Sequence, residues 1–239
     1  MGRPARALRA GTEVRAVLFD AGNTLLDLDY AFLADLCGKL GLATSPAKVG
    51  AAAAGHLRRH SNLYGAPPAA GDASDLLLGS FRAIGEALGL GAVAAADFAC
   101  AAQREDMRDP RGLWRCPAPA ARATLAALAM RGLRLAVVTN SDGQTQRHLE
   151  FAGLRHFFAV VIDSAEVGLA KPDPGIFHLA LAGLGQLPAH FLYVGDLPDI
   201  DMAGARSAGM GTLLYDPWDT YADTSEERLR SLIELTRLL

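Results

Sequence analysis

From Leu113 onward, short apolar runs alternate with segments of helical character, and that alternation leaves few folds open to the chain. The runs Leu133–Val138, Phe158–Ile162, Phe191–Val194 and Thr212–Tyr215 read as strands, apolar enough to be buried on both faces. Between them, Ala118–Ala129, Gln144–Phe151, Gly175–Leu184 and Asp199–Ser207 read as helices. Gly132, Gly153, Gly185 and Gly209 fall where those helices should stop. With Val14–Phe19 added, the pattern predicts an α/β, Rossmann-like, doubly wound core of about five parallel strands.

The stretch from Asp27 to Gly112 is different: Ala and Leu recur at helical spacing and no β-branched run interrupts them. It reads as an α-helical bundle inserted after the first strand. Ser45-Pro46 supplies a cap followed by proline at the first helical position, and Asp72 is a cap for the segment through Leu76, Leu77, Phe81, Ile84 and Leu88. Pro67-Pro68 and Gly89-Leu90-Gly91 read as turns; no strand precedes the latter, so it is not a nucleotide loop. At the other end, Asp223-Thr224-Ser225 with Glu226-Glu227 predicts the start of a closing helix whose apolar face carries Leu229, Leu232, Ile233 and Leu235.

Composition narrows the partners. A net charge of -3 over 239 residues gives no electrostatic footing for nucleic acid, so the expected partner is a small molecule. Cys37, Cys100 and Cys116 are an odd, widely spaced set that suits reduced thiols rather than a disulfide framework or zinc cluster. No apolar stretch reaches the ~18 residues of a membrane span, and the Arg-rich Met1–Arg9 lacks a signal-peptide apolar core and reads as a frayed terminus. These features point to a cytoplasmic protein, monomer or homodimer.

In a doubly wound sheet, residues just past the strand carboxyl ends converge on one crevice. Asp20, Thr139 and Asp196 take such positions, with Lys171 on a loop before a helix. Two carboxylates about 4 Å apart repel by roughly 4 kcal/mol at an effective dielectric of 20, so a site that gathers Asp20, Asp196 and Asp201 calls for a cation. Oxygen-only ligands favour a hard ion, and Mg²⁺ suits a site that shares phosphate oxygens with a substrate. Asp196 taken alone fits a strand-end turn or helix cap equally well.

Four motifs in order carry a resemblance. They are Asp20 and Thr24 after the first strand; Thr139 in Val137-Val138-Thr139-Asn140; Lys171 in Lys171-Pro172-Asp173-Pro174; and Gly195-Asp196 with Asp201. From Val14 to its C-terminus the chain resembles a hydrolase of the haloacid dehalogenase superfamily with a helical cap inserted after the first motif. The resemblance implies a core of residues 1–26 and 113–239 and a cap of residues 27–112. It also implies an enzyme acting on a small phosphorylated, or otherwise anionic, substrate through an aspartyl-phosphate. Asp20 is then the nucleophile, and Mg²⁺ is held by Asp20, the Gly22 carbonyl, Asp196 and Asp201. Thr139 and Asn140 meet the transferring phosphoryl group, and Lys171 offsets negative charge.

One position departs from the pattern. Where phosphatases of this family carry a second Asp that protonates the leaving oxygen and activates water, this chain has Gly22. A positioned acid or base contributes about 10²–10⁴ in rate, so turnover should be weak or restricted to good leaving groups such as aryl or acyl phosphates. A non-catalytic phosphate-binding or regulatory homologue and a carbon–halogen or carbon–phosphorus hydrolase are the alternatives, the last needing Lys39 or Lys48 as a Schiff-base amine. Asp27 and Asp29 are read as solvated loop acids, and His56 and His60, with Arg58 and Arg59 between them, as a solvated basic face. Trp114, Trp218 and Tyr215 are expected to pack near the hinge and the last strand.

Overall fold

Nine buried or nearly buried apolar residues in two short runs, Ala16–Phe19 (β1) and Phe191–Gly195 (β6), form the middle of a parallel sheet with no polar face. The computed structural model describes residues 13–59 and 72–239. Met1–Arg9, His60 and Pro67-Pro68 lie outside the described residues, as does the side chain of Asp72. The six strands run in the order β5 (Val160–Asp163), β4 (Arg134–Thr139), β1, β6, β7 (Gly211–Tyr215), β8 (Arg228–Leu229), all parallel. From β1 the chain builds outward on one side through β4 and β5, then returns to build outward on the other through β6 and β7. The order therefore reverses at β1, which creates the crevice where doubly wound folds bind ligands.

Side chains alternate along each central strand and split the core into two layers. Val17, Phe19, Val137, Leu192 and Val194 face α5 (Ala121–Met130), α6 (Thr145–Phe151) and the C-terminal segment. After the one-turn α7 (Ser164–Val167), the opposite layer is covered by α8 (Pro174–Leu184) and α9 (Ala203–Ser207), which Ala16, Leu18, Ala136, Val138 and Tyr193 face. The sequence signals account for the helix ends: Asp173 accepts from Gly175 N at 2.7 Å with Pro174 in the first turn, and Gly185 closes α8 at φ 59°.

Between β1 and the rest of the sheet stand, among the described residues, four helices, α1 (Tyr30–Lys39), α2 (Pro46–Arg59), α3 (Asp72–Leu88) and α4 (Ala92–Arg108). They share a core of their own around Leu33, Val49, Phe81, Ile84 and Phe98. The chain enters and leaves this bundle through a two-stranded antiparallel ladder, β2 (Leu26–Asp27) with β3 (Cys116–Pro117). On the core side, Trp218 sits edge-on to Tyr30 and fills the space above Gly50 of α2, while Arg58 pairs with Asp223 at 2.7 Å and lies over the Tyr221 ring.

Two expectations change. The sheet has six strands rather than about five, because Arg228 and Leu229 pair with the free edge of β7 at Leu214 and Tyr215. The closing helix therefore does not begin at Asp223. Its start is the capping box Ser231/Glu234, which leads a 3₁₀ turn into the short α10 (Leu235–Leu238). Leu229, Leu232 and Leu235 are buried all the same, since strand, turn and helix in succession deliver them to one layer.

Candidate active site

Asp20 is the first residue past β1, and its N–H donates to Val194 O of β6 at 2.9 Å, so the neighbouring strand fixes where its carboxylate begins. The side chain is buried. Lys171, also buried, reaches it from the loop before α8: Nζ lies 2.5 Å from Asp20 Oδ1, 2.6 Å from Asp201 Oδ1 and 3.1 Å from the Tyr193 hydroxyl. That hydroxyl donates to Val138 O at 2.8 Å. A buried lysine is tolerable only with such partners. Burial lowers its proton affinity, but the charges of Asp20 and Asp201 outweigh it and hold the ammonium above its ordinary range.

The loop that delivers Lys171 is clamped by Asn140. Its amide donates to Lys171 O at 2.9 Å and its carbonyl accepts from Lys171 N at 2.8 Å. Thr139 ends β4, is buried, and lies close enough to Asp20 for its hydroxyl to favour the ionised carboxylate. The turn after Thr139 is tied to β5, where Asp163 accepts from Gly143 N and from Thr145 Oγ1, and Ser164 Oγ accepts from Ser141 N.

Asp196 follows β6, and Asp201 sits in the π-helical turn Pro198–Met202. Asp201 is held on both oxygens, Oδ1 by Lys171 and Oδ2 by the N–H groups of Asp196 and Leu197 at 3.0 and 2.9 Å. Asp196 is partly open. One carboxylate oxygen from each of Asp20, Asp196 and Asp201 lies within 4.8 Å of the others. Burial, with Lys171 lowering and Asp201 raising, brings Asp20 up to about 6. Desolvation first, then the charges of Asp20 and Asp201, hold Asp196 well above the usual carboxylate range. Such crowding is what a divalent cation relieves, and an all-oxygen donor set fits a hard ion of the Mg²⁺ kind. Asp20 and Asp196 are the better placed to ligate it, because Asp201 is spent on Lys171 and the backbone.

The structure thus brings Asp20, Thr139, Lys171, Asp196 and Asp201 together, with Asn140 acting through the Lys171 backbone. Gly22 lies beside them, bridged to Leu26. A Cβ at residue 22 would meet the Trp114 indole at 3.3 Å, and its backbone is outside the left-handed region, so the ring and not the fold crowds a side chain there. Beyond Gly22 a cavity of about 700 Å³ opens between core and helices, lined by Asn23, Thr139 and Asn140 on one side and Leu57, Phe81 and Trp114 on the other.

Several residues depart from their sequence reading. Asp29 is no solvated acid: it caps α1 by accepting from Phe32 N at 2.9 Å and pairs with Arg115 at the same distance. Asp27 is half-buried on β2, and burial raises it to about 6. His56 is buried and lines the cavity. Arg58 braces the bundle against the core rather than presenting a free basic face. Tyr193 was missed by the sequence reading, although a tyrosine inside a strand buried on both faces needs a partner for its hydroxyl and was a signal for it. The Trp114–Gly22 contact had no local signal.

The haloacid dehalogenase-like hydrolase model matches residues 14–209. The chain is 46% identical over 99 residues to a phosphoserine phosphatase of Thermus thermophilus, 41% of this chain and 40% of that protein. It is 41% identical over 98 residues to a glyceraldehyde 3-phosphate phosphatase of Methanopyrus kandleri, 41% and 42% of the two chains. It spans less than half the length of these curated relatives. A fold likeness at 23% identity and TM-score 0.63 covers 95% of this chain and 99% of the Bacillus subtilis HAD-hydrolase YfnB, a structure bound to magnesium. Because the family model takes in the first strand, the whole helical insert and the last loop of the site in one run, the chain belongs to the haloacid dehalogenase-like hydrolases.

Proposed function

We propose that the chain is a Mg²⁺-dependent phosphohydrolase that passes the phosphoryl group of a small phosphorylated metabolite through Asp20. The observation that carries this is the buried Asp20 carboxylate, 2.5 Å from Lys171 and gathered with Asp196 and Asp201 where the strand order reverses. Phosphatase relatives and a magnesium-bound fold neighbour support it.

Asp20 and Asp196, with the Gly22 carbonyl, would hold the ion, and Asp201 would set Lys171 and the backbone of residues 196–197. When bound, the ion supplies charge neutralisation for nucleophile and phosphate. Lys171 keeps Asp20 ionised and oriented. Asp20 Oδ attacks phosphorus as the bond to the leaving oxygen breaks, while Thr139 donates to the transferring group. Water then releases phosphate and restores the carboxylate. With no carboxylate at Gly22, both the departure of the leaving group and the activation of water go unassisted. We further assign residues 27–112 as the cap over a core of 1–26 and 113–239, and place the enzyme in the cytoplasm.

Rapid-quench kinetics with 4-nitrophenyl phosphate tests the reading. A burst near one product per site, dependent on Mg²⁺ and absent in Asp20→Asn, is expected. Turnover that survives Asp20→Asn or ignores Mg²⁺ would refute it.

A further inference from the structure

The cavity over Gly22 carries an apolar patch on its helical side, among polar lining that includes Ser80, Gln103, Asn140 and Gln144. Leu28, Leu57, Phe81, Ile84 and Trp114 line it from the helical side. Among the described residues, the arginines on its wall are Arg108 and Arg147. Both are exposed; Arg108 pairs with Glu105 at 2.6 Å, and Arg147 lies over the Phe151 ring. Asp106 and His148 meet at one corner, each 3.1 Å from the Cβ point of Gly112, and Asp106 already accepts from Leu113 N at 2.6 Å.

The chemistry at residue 22 points the same way. With no acid there, the leaving oxygen departs as an anion. A phenolic oxygen takes up its proton near 10, whereas water, a guide to alkyl alcohols, does so near 15.7. An aryl ester therefore loses far less from the missing carboxylate. The Trp114 indole, 3.3 Å from the Cβ point of Gly22, places an aromatic surface where that oxygen and its ring would leave.

We infer that the substrate class of this site is an aryl phosphate monoester: one phosphate on a phenolic oxygen of an apolar ring system, seated between Trp114 and the helical wall. This rests on the phosphoryl-transfer reading above. Asp20 Oδ forms a bond to phosphorus as the bond to the aryl oxygen breaks, with the electron pair leaving on that oxygen. Water supplies the phenol's proton, and a second water releases inorganic phosphate from Asp20.

The experiment compares 1-naphthyl phosphate, phenyl phosphate, glucose 6-phosphate and phosphoserine with the Mg²⁺-loaded full chain. The expected kcat/KM is at least a hundredfold higher for the naphthyl ester than for either alkyl ester, with a lower KM than for phenyl phosphate. Leu57→Ala should raise the naphthyl KM several-fold more than it raises the phenyl KM. Alkyl esters hydrolysed as fast as aryl ones, in a reaction that needs Mg²⁺ and Asp20, would overturn the substrate class alone. Should no ester turn over, calorimetric titration with 1-naphthylmethylphosphonate and 2-hydroxyethylphosphonate decides. At least tenfold tighter naphthyl binding upholds the class while the hydrolytic reading falls, and equal or absent binding overturns both.

Discussion

The Trp114 indole stands 3.3 Å from the point a Cβ of residue 22 would occupy, across 92 residues of chain and the full helical insert. The position where related phosphatases place an acid is therefore crowded by a ring as well as lacking a carboxylate.

Restoring the acid alone should do little. Gly22→Asp is expected to change kcat for phenyl phosphate by less than tenfold, because the new side chain presses on the indole. Combined with Trp114→Ala, it should exceed the Trp114→Ala single variant by at least tenfold, within the 10²–10⁴ range of a positioned acid. Steady-state kinetics of the four proteins checks this, and an equal gain without the Trp114 change would show that the ring is no obstacle.

Removing Lys171 should cost the ion-free protein dearly. Lys171→Met leaves Asp20 and Asp201 buried beside Asp196 with no countercharge, and breaking a buried pair from one side costs about 3–5 kcal/mol. Saturating Mg²⁺ should recover part of that stability. Thermal unfolding with and without Mg²⁺ reads both effects.

Asp27 sets a pH dependence. Burial raises its folded value to about 6 from 3.8, so the neutral form is the one the fold prefers. Its contribution is full below about pH 4 and is lost as pH rises through about 6, because there the native state binds more protons than the unfolded one. Asp27→Asn should leave stability at pH 4 nearly unchanged and raise it above pH 6.5, by at most about 3 kcal/mol. Chemical denaturation at the two pH values gives the comparison.

Gly50 should admit no side chain. A Cβ there would overlap the Trp218 ring, and overpacking of this kind costs about 1–3 kcal/mol. Gly50→Ala is expected to lower the melting temperature and alter Trp218 fluorescence. Arg58→Ala, which breaks an exposed pair with Asp223, should lower the melting temperature far less than Gly50→Ala.

What the sequence disclosed depended on how local the signal was. Strands buried on both faces leave unbroken apolar runs, so Arg134–Thr139 and Phe191–Gly195 were found within a residue or two. Asp20, Thr139 and Asp196 could be read as neighbours because a parallel sheet puts strand ends at one edge, and Lys171 only through the resemblance carried by Lys171-Pro172-Asp173-Pro174. The closing helix was misplaced because acids after Asp223 resemble a helix start, while the edge of β7 captured Arg228 and Leu229 instead. Residues joined only by the tertiary fold left no trace: Trp114 with Gly22, Trp218 with Gly50, Asp29 with Arg115.

The ladder Leu26↔Pro117, Asp27↔Cys116 places the exit of the helical insert beside its entrance, roughly 5 Å apart as in any antiparallel rung. Anything spliced between those two strands begins and finishes at one spot, so the sheet need not deform to host a bundle of another size. A change in the length of the insert is thereby absorbed at one doorway and not along the strands that carry Asp20 and Asp196.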